Sequence, residues 1–507
     1  MPLSPAPLLP GTNPIPIPGR KPPSAKALRL SVLIALPVLV VSLVVGQALL
    51  PWLLFLAPGL QAQANTNTPG AAGASSEFQG FDYPWTRQEG YKNAGYTSPA
   101  SLANMKDQAK TYHMNSVIIP IVADMPYRSD SYIAWHNTDK NDRDTLPQSD
   151  YEQAIKDART AGLVPILELQ IQQQDPYNDT NPSGDQVGSA WTDLPSTASY
   201  QSPVTNTQVN VGKAEKAWFD NYVAFAATYA QLSAKYHLPY FIVGDSLTSV
   251  SYDTDATSAK NDPKGIDRSV PGDSCPQNAT GRRECEWRHV INAIEQPNYN
   301  LLSNHTKSLP GGDYKGKLIY AASWSGSSSN TGTATSSEFD HIAWWDAVDI
   351  IGINAYFPLT NGALHPPINV LMDAWHGKQD SGAGSGGQGD IYGKIEKLSA
   401  KFDRPVLFTE AGYPSYTGAS AGPNSSASST DEDDVEQLND MQALVQTFSG
   451  ASWWEGVFWY YDLPVPRDKL ANWNVDYFWA GPTLDTSKAA AKWLASYYKD
   501  NPIQCSC

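Results

Sequence analysis

The strongest chemical signal in this 507-residue chain is the run Pro405-Val-Leu-Phe-Thr-Glu-Ala-Gly-Tyr413. Apolar residues lead to Glu410, and Ala411-Gly412 then let the chain turn. A carboxylate that ends a buried strand is costly unless it is paired or does chemistry. Set free at a cleft, it can attack an anomeric carbon and form a glycosyl-enzyme ester. Paired with a basic neighbour, it is a structural acid. The chain also holds 16 Trp and 26 Tyr. Their flat apolar faces and polar edges suit the stacking of sugars, and equally suit an ordinary large core.

Such residues need a frame, and the pattern of the chain supplies one. Eight short apolar runs, at 79–83, 116–122, 164–171, 240–247, 317–324, 348–356, 405–413 and 456–462, alternate with amphipathic stretches. Those stretches lie at 98–112, 149–161, 214–236, 287–305, 391–402, 433–448 and 487–498. Repeated strand–helix units of this number predict an α/β fold, a (β/α)8 TIM barrel with its site where strands run into βα loops. A doubly wound open sheet is the alternative, which the count and the length disfavour. Long polar insertions at 172–211, 249–284 and 360–389 follow the third, fourth and sixth strands, on the expected catalytic face. The glycines of 382–389 do not sit between a strand and a helix and make no phosphate cradle. The acidic run 431–434 opens a helix, where the helix N-terminus accounts for it without a metal.

The formal net charge of −16 argues against a nucleic-acid partner, which would need a basic footprint. Residues 1–29 are basic and proline-rich, and 30–58 form an apolar stretch long enough to span a bilayer. The basic side is expected to stay cytoplasmic, with the main domain outside. Ala62-Gln63-Ala64 resembles a cleavage site, so a cleaved signal is the other reading, and a secreted product the other location. Residues 59–77 then form a linker, 78–500 the barrel and 501–507 a cysteine-containing tail. In an oxidising compartment Cys275 and Cys285 are expected to close a loop, while the pairing of Cys505 and Cys507 stays open. No Cys-x-x-Cys pair suggests a metal site, and none is expected.

The sixth-strand region Trp345-Asp346-Ala-Val-Asp349-Ile-Ile-Gly352-Ile-Asn-Ala-Tyr356-Phe-Pro358-Leu359, together with the Glu410 run, resembles glycoside hydrolase family 113. Tyr320-Ala-Ala-Ser-Trp324, Trp287-Arg288 read as a helix opening, and Trp218-Phe-Asp-Asn-Tyr222 support it, and the likeness extends from about Gly80 to Tyr498. The resemblance implies a retaining endo-β-1,4-mannanase-like barrel. It implies Glu410 as nucleophile, Tyr356 as its hydrogen-bond donor, and Tyr83, Trp324 and Trp459 as shapers of the sugar subsites.

One departure matters. Where the family pattern ends its fourth strand with a Glu that acts as acid/base, this chain reads Val243-Gly244-Asp245-Ser246-Leu247, with Ser246 in the Glu position. A hydroxyl does not titrate near neutral pH and makes a poor general acid. Three accounts stay open: Asp245 takes the role if the strand end is bulged; another carboxylate such as Glu168 or Asp253 reaches in; or the barrel binds sugar without hydrolysing it. Gly244-Asp-Ser-Leu247 also resembles the GDSL ester hydrolases, with Ser246 as nucleophile and Asp373-Ala-Trp-His376 as its Asp and His. In those enzymes the block follows a first strand, whereas here it ends a fourth. The expected partner is a polysaccharide or oligosaccharide. The chemistry needs two carboxyl groups and no cofactor.

Overall fold

The computed structural model describes residues 78–85, 93–125, 131–135, 145–173, 199–201, 208–252, 275, 282–299, 309–325, 337–362, 365–378, 389–424, 432–466 and 488–503. All described residues belong to one compact unit, Gly70–Cys507. The expected basic segment, anchor or signal, and linker lie outside the described residues, as do Asp253, Cys505 and Cys507. Among the described residues no helix is long and apolar enough to cross a membrane.

Eight strands form a closed parallel barrel: β1 (Phe78–Asp82), β2 (Ser116–Met125), β3 (Val164–Gln173), β4 (Tyr240–Asp245), β5 (Lys317–Ser323), β6 (Ile350–Asn354), β7 (Val406–Ala411) and β8 (Trp454–Trp459). Each pairs with the next in sequence and β8 closes on β1, through Phe78 opposite Gly456 and Phe81 opposite Trp459. All eight predicted runs are strands, and the closed ring excludes the open sheet. The principal helices are α1 (Pro99–Thr111), α2 (Gln148–Ala161), α3 (Val211–Lys235), α4 (Arg282–Glu295), α5 (Ile368–Trp375), α6 (Ile391–Phe402), α7 (Asp434–Phe448) and α8 (Ala489–Asp500).

The local reasons are ordinary ones. Asn210, Asp390 and Asp433 cap α3, α6 and α7 by accepting from backbone N–H groups of the first turn. Gly162 ends α2 in the left-handed region, at φ 88°. Two expectations shift. The fourth helix starts at Arg282 rather than near Trp287 and stops at Glu295, two residues before Pro297. The predicted insertion 360–389 contains the two-turn helix α5, started after Pro366-Pro367. Between β5 and β6 the described residues hold only one short helix, Glu338–His341, and the 3-10 turn Trp345–Ala347.

Strand alternation sorts the core into two parts. Phe78, Ile118, Ile166, Ile242, Ile319, Leu407 and Phe458 fill the barrel interior. The Phe78 and Tyr240 rings meet edge to face there with centroids 4.8 Å apart. The neighbouring positions, among them Phe81, Val117, Leu167, Phe241 and Val457, pack outward with the helices in the larger core. The inward apolar layer is what lies beneath the site.

Candidate active site

Above that layer the inward positions turn acidic. On β1 the inward series Phe78, Gly80, Asp82 ends in a carboxylate, and on β3 the series Ile166, Glu168, Gln170 carries another. Strict alternation would send Asp245 and Glu410 outward, because Ile242 on β4 and Leu407 on β7 already face in. Both strands escape this by the same device. Ile242 stands opposite Ile319 and Asp245 opposite Ala321, so β4 uses three residues where β5 uses two. On β7, Ile353 pairs with Phe408 but Asn354 with Glu410, one residue gained. A bulge of this kind re-aims the following side chain.

The β4 bulge leaves Val243 and Gly244 both toward the helix layer. A Cβ on Gly244 would lie 2.9 Å from the Tyr222 hydroxyl, 2.9 Å from a Tyr320 ring carbon and 3.1 Å from the Trp287 ring. The Tyr222 hydroxyl donates to the Val243 carbonyl at 2.8 Å, and the Leu247 N–H donates to the Tyr320 hydroxyl at 3.1 Å. Tyr320 in turn donates to Glu338 at 2.6 Å, whose other oxygen accepts from the Ser323 N–H at 2.6 Å. Burial raises the Glu338 carboxyl to about 8, against the opposing effect of these donors. Ser246 follows the bulge with a positive φ of 48°.

The carboxylates converge. Glu168, Asp245 and Glu410 each place an oxygen within 4.8 Å of the other two. Gln170 Nε2 donates to Glu168 at 2.9 Å and to Asp245 at 3.1 Å, bridging them. Asn354 Nδ2 donates to Asp245 at 2.6 Å and to Ser246 Oγ at 3.1 Å, while Asn354 Oδ1 accepts from the Thr409 hydroxyl at 2.8 Å. The Tyr356 hydroxyl donates to Glu410 at 2.8 Å, and the Tyr460 ring stands perpendicular to that of Tyr356 with centroids 6.4 Å apart. Burial first, then the negative charges of Asp245, Asp82 and Glu410, push the Glu168 carboxyl well above the usual range. Burial, Glu410 and Asp245 do the same to Asp82.

Of the expected site residues the structure joins Glu410, Asp245 and Tyr356. Trp324, half-buried at the end of β5 with its N–H donating to the Asn354 carbonyl at 3.2 Å, lies beside them. Tyr83 and Trp459 are corrections: both are fully buried. The Tyr83 hydroxyl donates to the Ser101 carbonyl on α1 at 3.2 Å, and the Trp459 indole donates to the Tyr498 hydroxyl on α8 at 2.8 Å. Each is one position out of phase, on the helix side of its strand. The residues of the correct parity are Asp82 and Tyr460, and neither was expected. The signal for Asp82 was present: it is an acid at the end of a buried strand, the criterion that found Glu410.

The Glu168–Asp245–Glu410 spacing is one a cation could bridge. Among the described residues two other groups have comparable spacing. Cys275 and Cys285 are joined in the expected disulfide beside His289. In the group His365, Asp433 and Glu436, the carboxylates already cap backbone: Asp433 accepts from Val435 and Glu436, and Glu436 from Gly418 and Ser420. The ester-hydrolase constellation is not assembled. Asp373 pairs with Lys378, and the His376 ring packs on Tyr392.

The profile of Glycoside Hydrolase Family 113 matches residues 274–481, the stretch carrying β5 to β8 with Trp324, Tyr356 and Glu410. The chain is thus similar to family 113 glycoside hydrolases. No curated protein matches the chain. Among solved structures, a family 113 β-1,4-mannanase complex aligns at 17% identity over 84% of this chain and 99% of that one, with a TM-score of 0.54. The family 113 β-mannanase of Alicyclobacillus acidocaldarius in complex with ManMIm aligns at 16% identity over 84% and 98%, with a TM-score of 0.54. At these identities the structural likeness is one of fold. The family 113 likeness of sequence rests on the profile, and Asp245 lies in the part the profile does not reach.

Proposed function

We propose that the protein is a retaining glycosidase acting on a β-linked, mannan-type polysaccharide, with Glu410 as nucleophile and Asp245 as acid/base. The observation that carries this reading is the pair of bulges, which turn both carboxylates to the inward face with oxygens within 4.8 Å. Retaining enzymes hold their two carboxyls about 5–5.5 Å apart, whereas inverting ones need about 6.5–9.5 Å for a water between them. Glu410 would attack the anomeric carbon as Asp245 gives its proton to the departing glycosidic oxygen. Asp245 would then take a proton from water, whose oxygen displaces Glu410 at the same carbon. Tyr356 orients Glu410, and Asn354 and Gln170 orient Asp245. The barrel would work outside the cytoplasm, anchored through 30–58 or released by cleavage after it.

The test is hydrolysis of β-1,4-manno-oligosaccharides with the anomeric configuration of the first product read by proton NMR. Retention, with the β-anomer appearing first, is expected. Early α-anomer would sink the retaining assignment. A second reading, a carbohydrate-binding barrel without turnover, is favoured by Ser246 at the position of the family's Glu. It would be established by glycan binding with no sugar released at any pH.

A further inference from the structure

We propose that the acidic layer at the C-terminal ends of these strands is a binding site for one calcium-sized divalent cation, with Glu168, Asp245 and Glu410 as ligands and Asp82 as a further carboxylate beside them. The span is the first argument. Two oxygens on one Ca2+, each at about 2.3–2.6 Å, lie no more than roughly 4.6–5.2 Å apart. The three carboxylate oxygens, from three different strands, fall within 4.8 Å of one another.

Asp82 is the second and independent argument. It is 1% exposed, and neither of its carboxylate oxygens has a hydrogen-bond partner among the described residues. It ends the inward series Phe78, Gly80, Asp82 of β1, and the charges of Glu410 and Asp245 act on it. Glu168, fully buried, likewise leaves Oε1 without a partner. Buried acceptors without donors cost free energy that a protonated carboxyl removes only if its proton finds an acceptor. A cation held by Glu168, Asp245 and Glu410 places a positive charge among these oxygens. Carboxylate-only ligation selects a hard cation over zinc or copper. The groups facing Asp82 and Glu168 in this layer are Asp245, Glu410, Tyr356 and Tyr460, none of them cationic.

Two of the ligands are the proposed catalytic pair, so the bound cation would exclude the sugar. This inhibition, unlike the binding, rests on the glycosidase reading.

The experiment is calcium titration of the EDTA-treated full chain by calorimetry, with terbium luminescence as a second readout, since Tyr356 and Tyr460 are placed to sensitise it. One Ca2+ per chain is expected, along with terbium emission that calcium quenches. Asp82→Asn and Glu168→Gln should each weaken binding at least about tenfold, and Glu436→Gln at the other acidic group should not. Absence of calcium heat and of terbium emission in the wild-type chain would overturn the site without recourse to any variant. So would undiminished binding in both folded variants, or loss of binding in Glu436→Gln. Mannan hydrolysis measured in EDTA and in saturating calcium separates the two ideas. Activity in EDTA that calcium suppresses supports both. Calcium binding by a chain inactive in EDTA supports the site and sinks the glycosidase reading. Equal activity in both media refutes the shared ligands.

Discussion

The ends of β4 and β7 solve one positional problem with different residues. Each strand arrives in the phase that would hide its carboxylate among the helices, and each gains one residue to turn it inward. At β7 the carboxylate is Glu410, met by one tyrosine hydroxyl, in a stretch the family profile covers. At β4 it is the shorter Asp245, held by two side-chain amides and followed by Ser246 at positive φ. The proposed acid/base role of Asp245 rests on its position beside Glu410, not on its residue type. The same comparison shows how one added residue can bring an acid of either length into the site.

The sharpest way to break the comparison is to remove each carboxylate in turn. Glu410→Gln should abolish turnover, reducing product release from oligosaccharides to background. Asp245→Asn should lower kcat by about 10²–10⁴-fold on natural linkages, the usual range for general acid–base help, and by much less on aryl glycosides that leave without a proton. Ser246→Ala should change kcat no more than a few-fold. If Ser246→Ala proved as damaging as Asp245→Asn, the bulge argument would fail.

The packing that holds the β4 bulge predicts a stability effect. Gly244→Ala must displace Tyr222, Tyr320 or Trp287, and overpacking of this kind costs about 1–3 kcal/mol. A lowered Tm in thermal unfolding, with activity lost in parallel, is the expected result.

The aromatic residues sharpen the comparison further. Trp324→Ala should weaken oligosaccharide binding measured by calorimetry, whereas Trp459→Phe should leave it unchanged. The latter should cost about 1 kcal/mol of stability, from the hydrogen bond to Tyr498.

The smallest expected effect is a slope. Glu338, raised by burial to about 8 from the ordinary 4.5, keeps its proton in the folded chain over a range where the unfolded chain has lost it. The folded state therefore binds more protons between those values, and stability falls as pH rises through that window, by up to roughly 1.4 kcal/mol per pH unit. Glu338→Gln should flatten the pH dependence of chemical unfolding by about one proton's worth. An unchanged slope would show that Glu338 is ionised in the fold.

Much of this was legible in the residues. Eight apolar runs spaced by amphipathic stretches specify the barrel because a parallel strand must be apolar on both faces and must be followed by a covering helix. Helix α5 was hidden because its eight residues sit in a stretch dominated by proline, glycine and polar side chains. Tyr83 and Trp459 were misassigned because a strand alternates with a period of two. An aromatic at a strand end looks equally able to face either side until the phase is known, and the phase put Asp82 and Tyr460 inside instead.

The sequence alone determined the strand count and the acids at the ends of the fourth and seventh strands. Those are statements about residue type and order, which local propensity and periodicity carry. Whether Asp245 faces the cleft was decided only in three dimensions. A bulge is defined by the count of residues on a neighbouring strand, and β5, the neighbour that sets it, begins more than seventy residues later in the chain. The convergence of Asp82 and Glu168 beneath the pair has the same origin: ring closure brings strands from opposite ends of the sequence to one floor.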